Sequence, residues 1–245
     1  MEQAIINKAE QVQKLQKEIL ELQGFRPPLE HEWRDIGLGL MNEAFPNKVF
    51  PVATVHEFVS TSAEEVAVTC GFISGLVGAL MNNGACLWVT TKRRVFAPGL
   101  KAFGVKPDQV VFADASGNKE ALWMMEEGLK CNTLASVVGE ISELSFTESR
   151  RLQLAVEDSR VTGFIHRHTQ KPVAHIACVS RWRIKPVESS SGCGMPGVGM
   201  PSWNVELQKI RNGKPGAWIV NWSPNGFRVT RADIGRLSVP AAKTG

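Results

Sequence analysis

An alternating rhythm of strand and helix from Val52, a continuous apolar run at Ala85 to Thr90, and hairpin patterning after Pro172 predict the fold class. It is α/β, a parallel sheet flanked by helices, with an N-terminal helix and a C-terminal β-meander. At 245 residues, 43% hydrophobic and 21% charged, the chain is long enough for one large domain or two small ones and excludes disordered and fibrous classes.

The elements follow in order. From Gln3 to Gln23, Ile5, Val12 and Ile19 stand seven apart, as do Leu15 and Leu22, among Lys, Glu and Gln. That is the stripe of an amphipathic helix. With about three heptads it packs on its own domain or on a second subunit rather than standing as a free coiled coil. Gly24 and Pro27-Pro28 stop it, and the stretch to Phe50 reads as a mobile connector with short turns. Val52 to Val59 is a strand and Ser62 to Met81 a tightly packed helix with Gly71, Gly75 and Gly78, left through an Asn82-Asn83-Gly84 turn. Ala85 to Thr90 has the unbroken apolar character of a strand buried on both faces. A short helix at Gly99 to Phe103 and a strand at Gln109 to Ala113 follow, then a helix at Lys119 to Cys131 and a strand at Thr133 to Val138. A helix at Glu148 to Ser159 and a strand at Thr162 to Arg167 complete the alternation. Beyond Pro172, Val173 to Lys185, Trp203 to Arg211 and Ala217 to Trp222 read as the meander, the last two joined by Asn212-Gly213-Lys214-Pro215-Gly216. Ser189 to Pro201 reads as an exposed loop. The expected organisation is therefore residues 1–49 as helix and connector, 50–236 as the core with its hairpin, and 237–245 as a loose tail.

Several function classes drop out early. The stretch from Val66 to Val89 is broken by Asn82, Asn83 and Gly84, so no membrane span is expected. The N-terminus lacks the basic start and short apolar core of a secretory signal, and a cytoplasmic protein is expected. Cys70, Cys86, Cys131, Cys178 and Cys193 show no zinc spacing, and core packing is their first reading. Charge is uneven. Residues 1–149 hold 13 Lys and Arg against 19 Asp and Glu, a net of −6; residues 150–245 hold 15 against 5, a net of +10. A basic second part suits an anionic partner, an acidic protein face, or a solvated basic surface.

The junction near residue 60 is where an α/β protein places a phosphate-binding loop, built as G-x-x-x-x-G-K-[ST] so that backbone N–H groups and a lysine meet the phosphates. Here the run is Ser60-Thr61-Ser62-Ala63-Glu64-Glu65-Val66-Ala67. Glu65 stands in place of the second glycine, Val66 in place of the lysine and Ala67 in place of the hydroxyl. A carboxylate and a missing cation repel a triphosphate, so no nucleotide cofactor in the usual mode, and no metal, is expected. No catalytic set emerges elsewhere. His56 and Glu57 are adjacent in a strand and point to opposite faces. His166 and His168 share a face but have no acidic ligand nearby in sequence, and Ser189, Ser190 and Ser191 lack the strand-turn-helix setting of a nucleophile elbow.

Five further segments carry a resemblance. Val55-His56-Glu57-Phe58 precedes the degenerate loop; then come Val95 to Val105 (VFAPGLKAFGV), Ala121 to Glu127 (ALWMMEE), and Val137-Val138-Gly139-Glu140 with Ser149 to Ala155 (SRRLQLA). Pro201 to Leu207 (PSWNVEL) with Pro215-Gly216-Ala217-Trp218 closes the series. Spread over residues 50 to 223, they resemble RecA-like cores and more closely the ImuA family, RecA/SulA-related proteins of bacterial damage-induced mutagenesis. The resemblance implies a RecA-like core acting as a non-enzymatic accessory factor in error-prone translesion synthesis. It implies as partners an ImuB-type Y-family polymerase-like protein and, indirectly, an error-prone C-family polymerase with the sliding clamp, near the nucleoid. Thr90-Thr91-Lys92-Arg93 replaces the RecA catalytic glutamate and Gly139-Glu140 the Walker B aspartate, leaving Glu140 as a candidate metal ligand. Alternatives are a divergent nucleotide-dependent repair ATPase and a SulA-like cell-division inhibitor. Self-association through Gln3 to Gln23 is open.

Arg181, Arg183 and Lys185 alternate with Trp182 and Ile184, so the three cations share one strand face. Contact with DNA phosphates, contact with an acidic partner and the protection of an edge strand all fit such a row. Trp203, Trp218 and Trp222 fall on the terminal hairpin and are expected in the core, with an interface or base stacking as alternatives.

Overall fold

A computed structural model of the chain describes residues 36–81, 84–92, 95–188 and 199–231, together with Gln11 and Leu15. The expected helix over residues 3–23, the turn at Asn82 and Asn83, Arg93, the serines at 189–191 and the tail from residue 237 lie outside the described residues.

Nine strands among the described residues form one sheet. In chain order the elements are β1 (Val55–Ser60), α1 (Ala63–Leu80), β2 (Ala85–Thr90), β3 (Val110–Asp114), α2 (Asn118–Lys130), β4 (Leu134–Ile141), α3 (Phe146–Ser159) and β5 (Thr162–His168). The meander then adds β6 (Ser180–Pro186), β7 (Ser202–Ile210), β8 (Gly216–Ser223) and β9 (Gly226–Arg231). The sheet order is β3-β2-β4-β5-β1-β6-β7-β8-β9. Pairs from β3 to β6 are parallel; β6 to β9 pair antiparallel. The α/β class and the C-terminal meander are as the sequence predicts.

Local chemistry sets the helix starts. Ser62 caps α1 by accepting from the Glu65 N–H. Ser145 and Glu148 form a reciprocal capping box at α3, satisfying two donors that would otherwise be orphaned. By length and composition α1 could cross a membrane, but half of it is buried in the fold, where its apolar residues pack on the sheet. Gly78 permits its close approach to the 3-10 segment Ala97–Phe103: an added Cβ would lie 2.3 Å from the Phe103 carbonyl oxygen.

The sheet separates two cores. On the α1 face, Trp182 of β6 stacks on Phe58 at 5.9 Å and meets Phe45, Phe50 and Phe72. Trp203 and Trp218 are buried in the same cluster, with Trp222 packed against it; the indole N–H of Trp222 donates to the Ala102 carbonyl at 2.7 Å. The core reading of the three tryptophans holds. On the other face α2 and α3 supply Leu122, Met125, Leu129, Leu152 and Val156 against Val55, Val137 and Ile165.

The structure differs from expectation in four places. Residues 36–50 are no loose connector: Leu38, Met41, Phe45 and Phe50 are buried in the α1-side core, delivered by short 3-10 turns. Over residues 173–179 there is no strand but an irregular crossover, and β6 begins only at Ser180. β4 runs on through Gly139 and Glu140 to Ile141. β9 is an additional strand. Cys86 and Cys178 are buried free thiols and Cys131 an exposed one; burial pushes the Cys86 thiol up to about 12.

A relay of hydrogen bonds underlies the first core. The Trp182 indole N–H donates to Ser180 Oγ at 2.6 Å, and Ser180 Oγ lies 2.6 Å from His56 Nδ1. His56 Nε2 is 2.7 Å from the Pro51 carbonyl oxygen. Because a carbonyl only accepts, Nε2 carries the proton and Nδ1 accepts from Ser180. The ring lies between Phe50 and Phe164. Burial, opposed by the bond to Pro51, pushes its pKa down to about 4. A histidine held neutral in this way supports folding fully above its unfolded value near 6.5 and less as pH falls toward 4. The total is on the order of 3 kcal/mol. Denaturant unfolding of the wild type is therefore expected to weaken steadily between pH 6.5 and 5. His56→Gln starts lower at neutral pH and lacks that slope; equal slopes in both proteins would refute the assignment.

Candidate functional site

The first candidate is the junction of β1 and α1. β1 ends at Ser60 and α1 begins at Ala63, so two residues, Thr61 and Ser62, join strand to helix. A phosphate cradle needs an irregular loop whose successive N–H groups point inward at one anion. Here the stretch aligned with that cradle is already helix. Ser60 Oγ is turned into the protein, 3.0 Å from Thr69 Oγ1 and 2.9 Å from His166 Nε2. Val66 faces the adjoining cavity, and Ala67 is exposed on the helix.

Glu65 is the decisive residue. Its Oε2 accepts from the Thr61 backbone N–H at 2.7 Å and from Thr61 Oγ1 at 2.9 Å. Its Oε1 accepts from Arg183 Nε at 3.1 Å and Nη2 at 2.8 Å, and Nη2 also donates to Thr61 Oγ1 at 2.9 Å. An internal carboxylate thus takes the junction's N–H donor and cation. Burial works to raise the Glu65 pKa, but the bonds from Arg183 and Thr61 together hold it below the usual carboxylate range.

Arg181, Arg183 and Lys185 do share one face of β6, and each is ion-paired within the fold. Arg181 Nε donates to Glu57 Oε2 at 2.6 Å, Arg183 reaches Glu65, and Lys185 Nζ reaches Glu206 at 2.6 Å. Exposure of the three side chains rises along the row through 17%, 31% and 38%, so only the last offers much of its charge to solvent. As a surface for phosphate, the row is largely neutralised from within. Glu57 is itself fully buried and shared with Arg167 Nη1 at 2.9 Å, which removes His56 and Glu57 from any acid-base role.

Above the junction lies a cavity of about 220 Å³ lined by Val66, Thr91, Lys92, Glu140, Ser142, His166 and His168 among others. Parallel pairing places Glu140 of β4 opposite His166 of β5, bringing together residues that are far apart in sequence. Glu140 accepts from the Trp88 indole N–H at 3.0 Å and from Thr90 Oγ1 at 3.1 Å. His166 meets Ser60 and, at 3.7 Å, the Cys70 thiol. Among the described residues, no three His, Cys, Asp or Glu side chains gather as a metal site. Of the polar groups lining the cavity, Glu140, Ser142 and His166 are bonded within the protein.

These features define a class: a helix-covered α/β sheet whose phosphate-loop position is closed by its own carboxylate. No protein-family model matches the chain. It is 32% identical over 219 residues to Protein ImuA of Caulobacter vibrioides strain NA1000 / CB15N, covering 82% of this chain and 89% of that protein. Protein ImuA of strain ATCC 19089 / CIP 103742 / CB 15 matches to the same extent. The chain belongs to the ImuA family.

The Glu65–Arg183 pair is testable by a double-mutant cycle. Glu65→Gln is expected to cost about 1.5–3 kcal/mol at pH 7, in the range for hydrogen bonds to charged groups. Because the folded pKa lies below the unfolded one, that difference is complete above about pH 5 and fades as pH falls through the glutamate range. Arg183→Gln should add little once Glu65 is changed; full additivity of the two substitutions would show that the pair is not coupled.

Proposed function

We propose that this protein is an ATPase-deficient, RecA-like accessory factor in damage-induced mutagenesis. It works in error-prone translesion DNA synthesis, in the cytoplasm at the nucleoid, by joining an ImuB-type Y-family polymerase-like protein to the mutagenic polymerase complex. The observation that carries the reading is the closed junction: the Glu65 carboxylate, bonded to Thr61 and Arg183, sits where a nucleotide-dependent relative needs an anion site. Membership in the ImuA family supports the cellular setting. A protein of this build acts through its surfaces, and the error-prone C-family polymerase and sliding clamp are reached indirectly.

The test is a pull-down of the purified, folded chain against its ImuB homologue, repeated after deletion of residues 3–23. Truncation within the meander is unsuitable for mapping, since β6 to β9 carry Trp182, Trp203 and Trp218 of the core. The full chain is expected to retain the homologue, and millimolar Mg-ATP to leave its melting temperature unchanged, because a ligand that binds only the folded state must raise it. Failure of the folded chain to retain the homologue argues against the accessory role. A nucleotide-dependent rise that Glu140→Ala abolishes would favour an ATPase instead.

A further inference from the structure

Two surfaces on opposite faces of the sheet complement each other. On the α1 side, a groove of about 740 Å³ lies between α1 at Gly75 and Gly78, the 3-10 segment at Phe103, and the β8–β9 hairpin at Trp222 and Phe227. Its aromatic wall is preformed. The rings of Phe103, Trp222 and Phe227 follow one another with centroids 5.3 and 4.9 Å apart, and the bond from the Trp222 indole N–H to the Ala102 carbonyl fixes the middle one. A wall already held in place loses little freedom when it is covered. Met200, 55% exposed, stands at the groove. Lys101 is the one charged side chain among the described lining residues; it is exposed and makes no ion pair with another described residue. A lone cation beside an apolar wall suits a bulky apolar side chain with a carboxylate close by.

Across the sheet, α2 presents that combination. Trp123 is 59% exposed and is the largest of the exposed hydrophobic side chains among the described residues. An exposed leucine is ordinary on a protein surface, but tryptophan is the residue type most enriched among those that dominate binding at interfaces. Residues four apart on a helix are neighbours, so Glu127 stands beside Trp123. Glu127 is 51% exposed and bonds Lys130, which it shares with Glu126. A carboxylate has about four lone-pair sites, so Glu127 can accept from a second cation while keeping Lys130.

We propose that the chain associates head to tail with a second copy of itself, Trp123 of one copy entering the groove of the next and Glu127 meeting Lys101. The sheet stands between the two surfaces, so one chain cannot bring its own tryptophan to its own groove. Each contact leaves a free groove at one end of the pair and a free Trp123 at the other. The association is therefore heterologous and propagates instead of closing as a twofold pair. It needs neither nucleotide nor the ImuB homologue, so the pull-down and the test below can fail separately.

The experiment is sedimentation velocity of the purified full chain across the micromolar range. The average mass of the wild type is expected to climb past that of a dimer as concentration rises. Trp123→Ala, and separately Lys101→Glu with Met200→Asp, each weaken the association at least about tenfold. All three positions are exposed, and circular dichroism melts check that the variants stay folded; if Met200→Asp lowers the melt, Lys101→Glu is used alone. Mixing the two variants is the decisive step. The tryptophan variant supplies an intact groove and the groove variant an intact tryptophan, so the mixture forms a one-to-one dimer and grows no further, an outcome that general damage to either surface would not produce. Lys101→Glu combined with Glu127→Lys in one chain restores association to within about threefold of the wild type, because opposite charges again face each other. A wild type that stays monomeric, or that stops at a dimer, overturns the proposal. So does association that survives both sets of substitutions, and so does a mixture of the two variants that stays monomeric.

Discussion

The carboxylate of Glu57 is the constraint on which the rest of the sheet depends. It is fully buried, with Arg167 of β5 on one oxygen and Arg181 of β6 on the other. β1 and β6 pair over only three residues, His56 to Phe58, and Glu57 is the middle one. The short seam between the parallel half and the meander is thus clamped by charge at its centre, with the aromatic stack of Phe58 and Trp182 on the opposite face. Removing one member of a buried ion group leaves the others uncompensated, at a cost of about 3–5 kcal/mol, although such a group adds little net stability over a well-packed apolar one. Its value here is positional, because it fixes which residue of β6 stands opposite β1.

Register at the seam then determines the junction. With Arg181 on Glu57, the pleat places Arg183 two residues on, beside Glu65 at the start of α1, and Lys185 beside Glu206 of β7. One row of cations ties β1, α1 and β7 to a single strand. Two of the three carboxylates belong to the acidic first part of the chain, so folding cancels some of the charge asymmetry visible in sequence.

Much of this fold is legible in the residues, and the exceptions have physical causes. Ala85–Thr90 is recognisable as a buried parallel strand because nothing polar interrupts it before Thr90, and Ser62 announces α1 as its cap. β4 is obscured beyond Val138 because Gly139 and Glu140 are poor strand residues in isolation. Gly139 is required there since an added Cβ would stand 1.9 Å from the Met125 sulfur, and Glu140 is tolerated because Trp88 and Thr90 bond it from the next strand. Residues 36–50 hide their burial because 3-10 turns deliver Leu38, Met41 and Phe45 without the 3.6-residue period of an α-helix. Val173, Ile176 and Val179 suggest a strand by composition, yet Ala177 bonds to the Ser149 side chain and Val179 N–H to the Val55 carbonyl, so the crossover is stabilised piecemeal. For β9 the signal was present in Asn225-Gly226, a turn pair, with Gly226 at a φ of 98° that favours glycine.

The candidate site was half visible. The loss of the phosphate-loop residues can be read from Ser60 to Ala67, but a missing lysine alone leaves open whether the space is vacant or filled. Only the meander, folded back across β1, brings Arg183 within reach of a residue 118 positions away. That long-range pair changes the meaning of Glu65 from a repulsive intruder in a phosphate site to the occupant of that site. The cavity above it, with Glu140 beside His166, sets another carboxylate where a polyphosphate would approach, at the end of strands whose hydroxyls and imidazole are already bonded to one another. Each of these residues adds to a self-satisfied junction whose polar groups are bonded to one another.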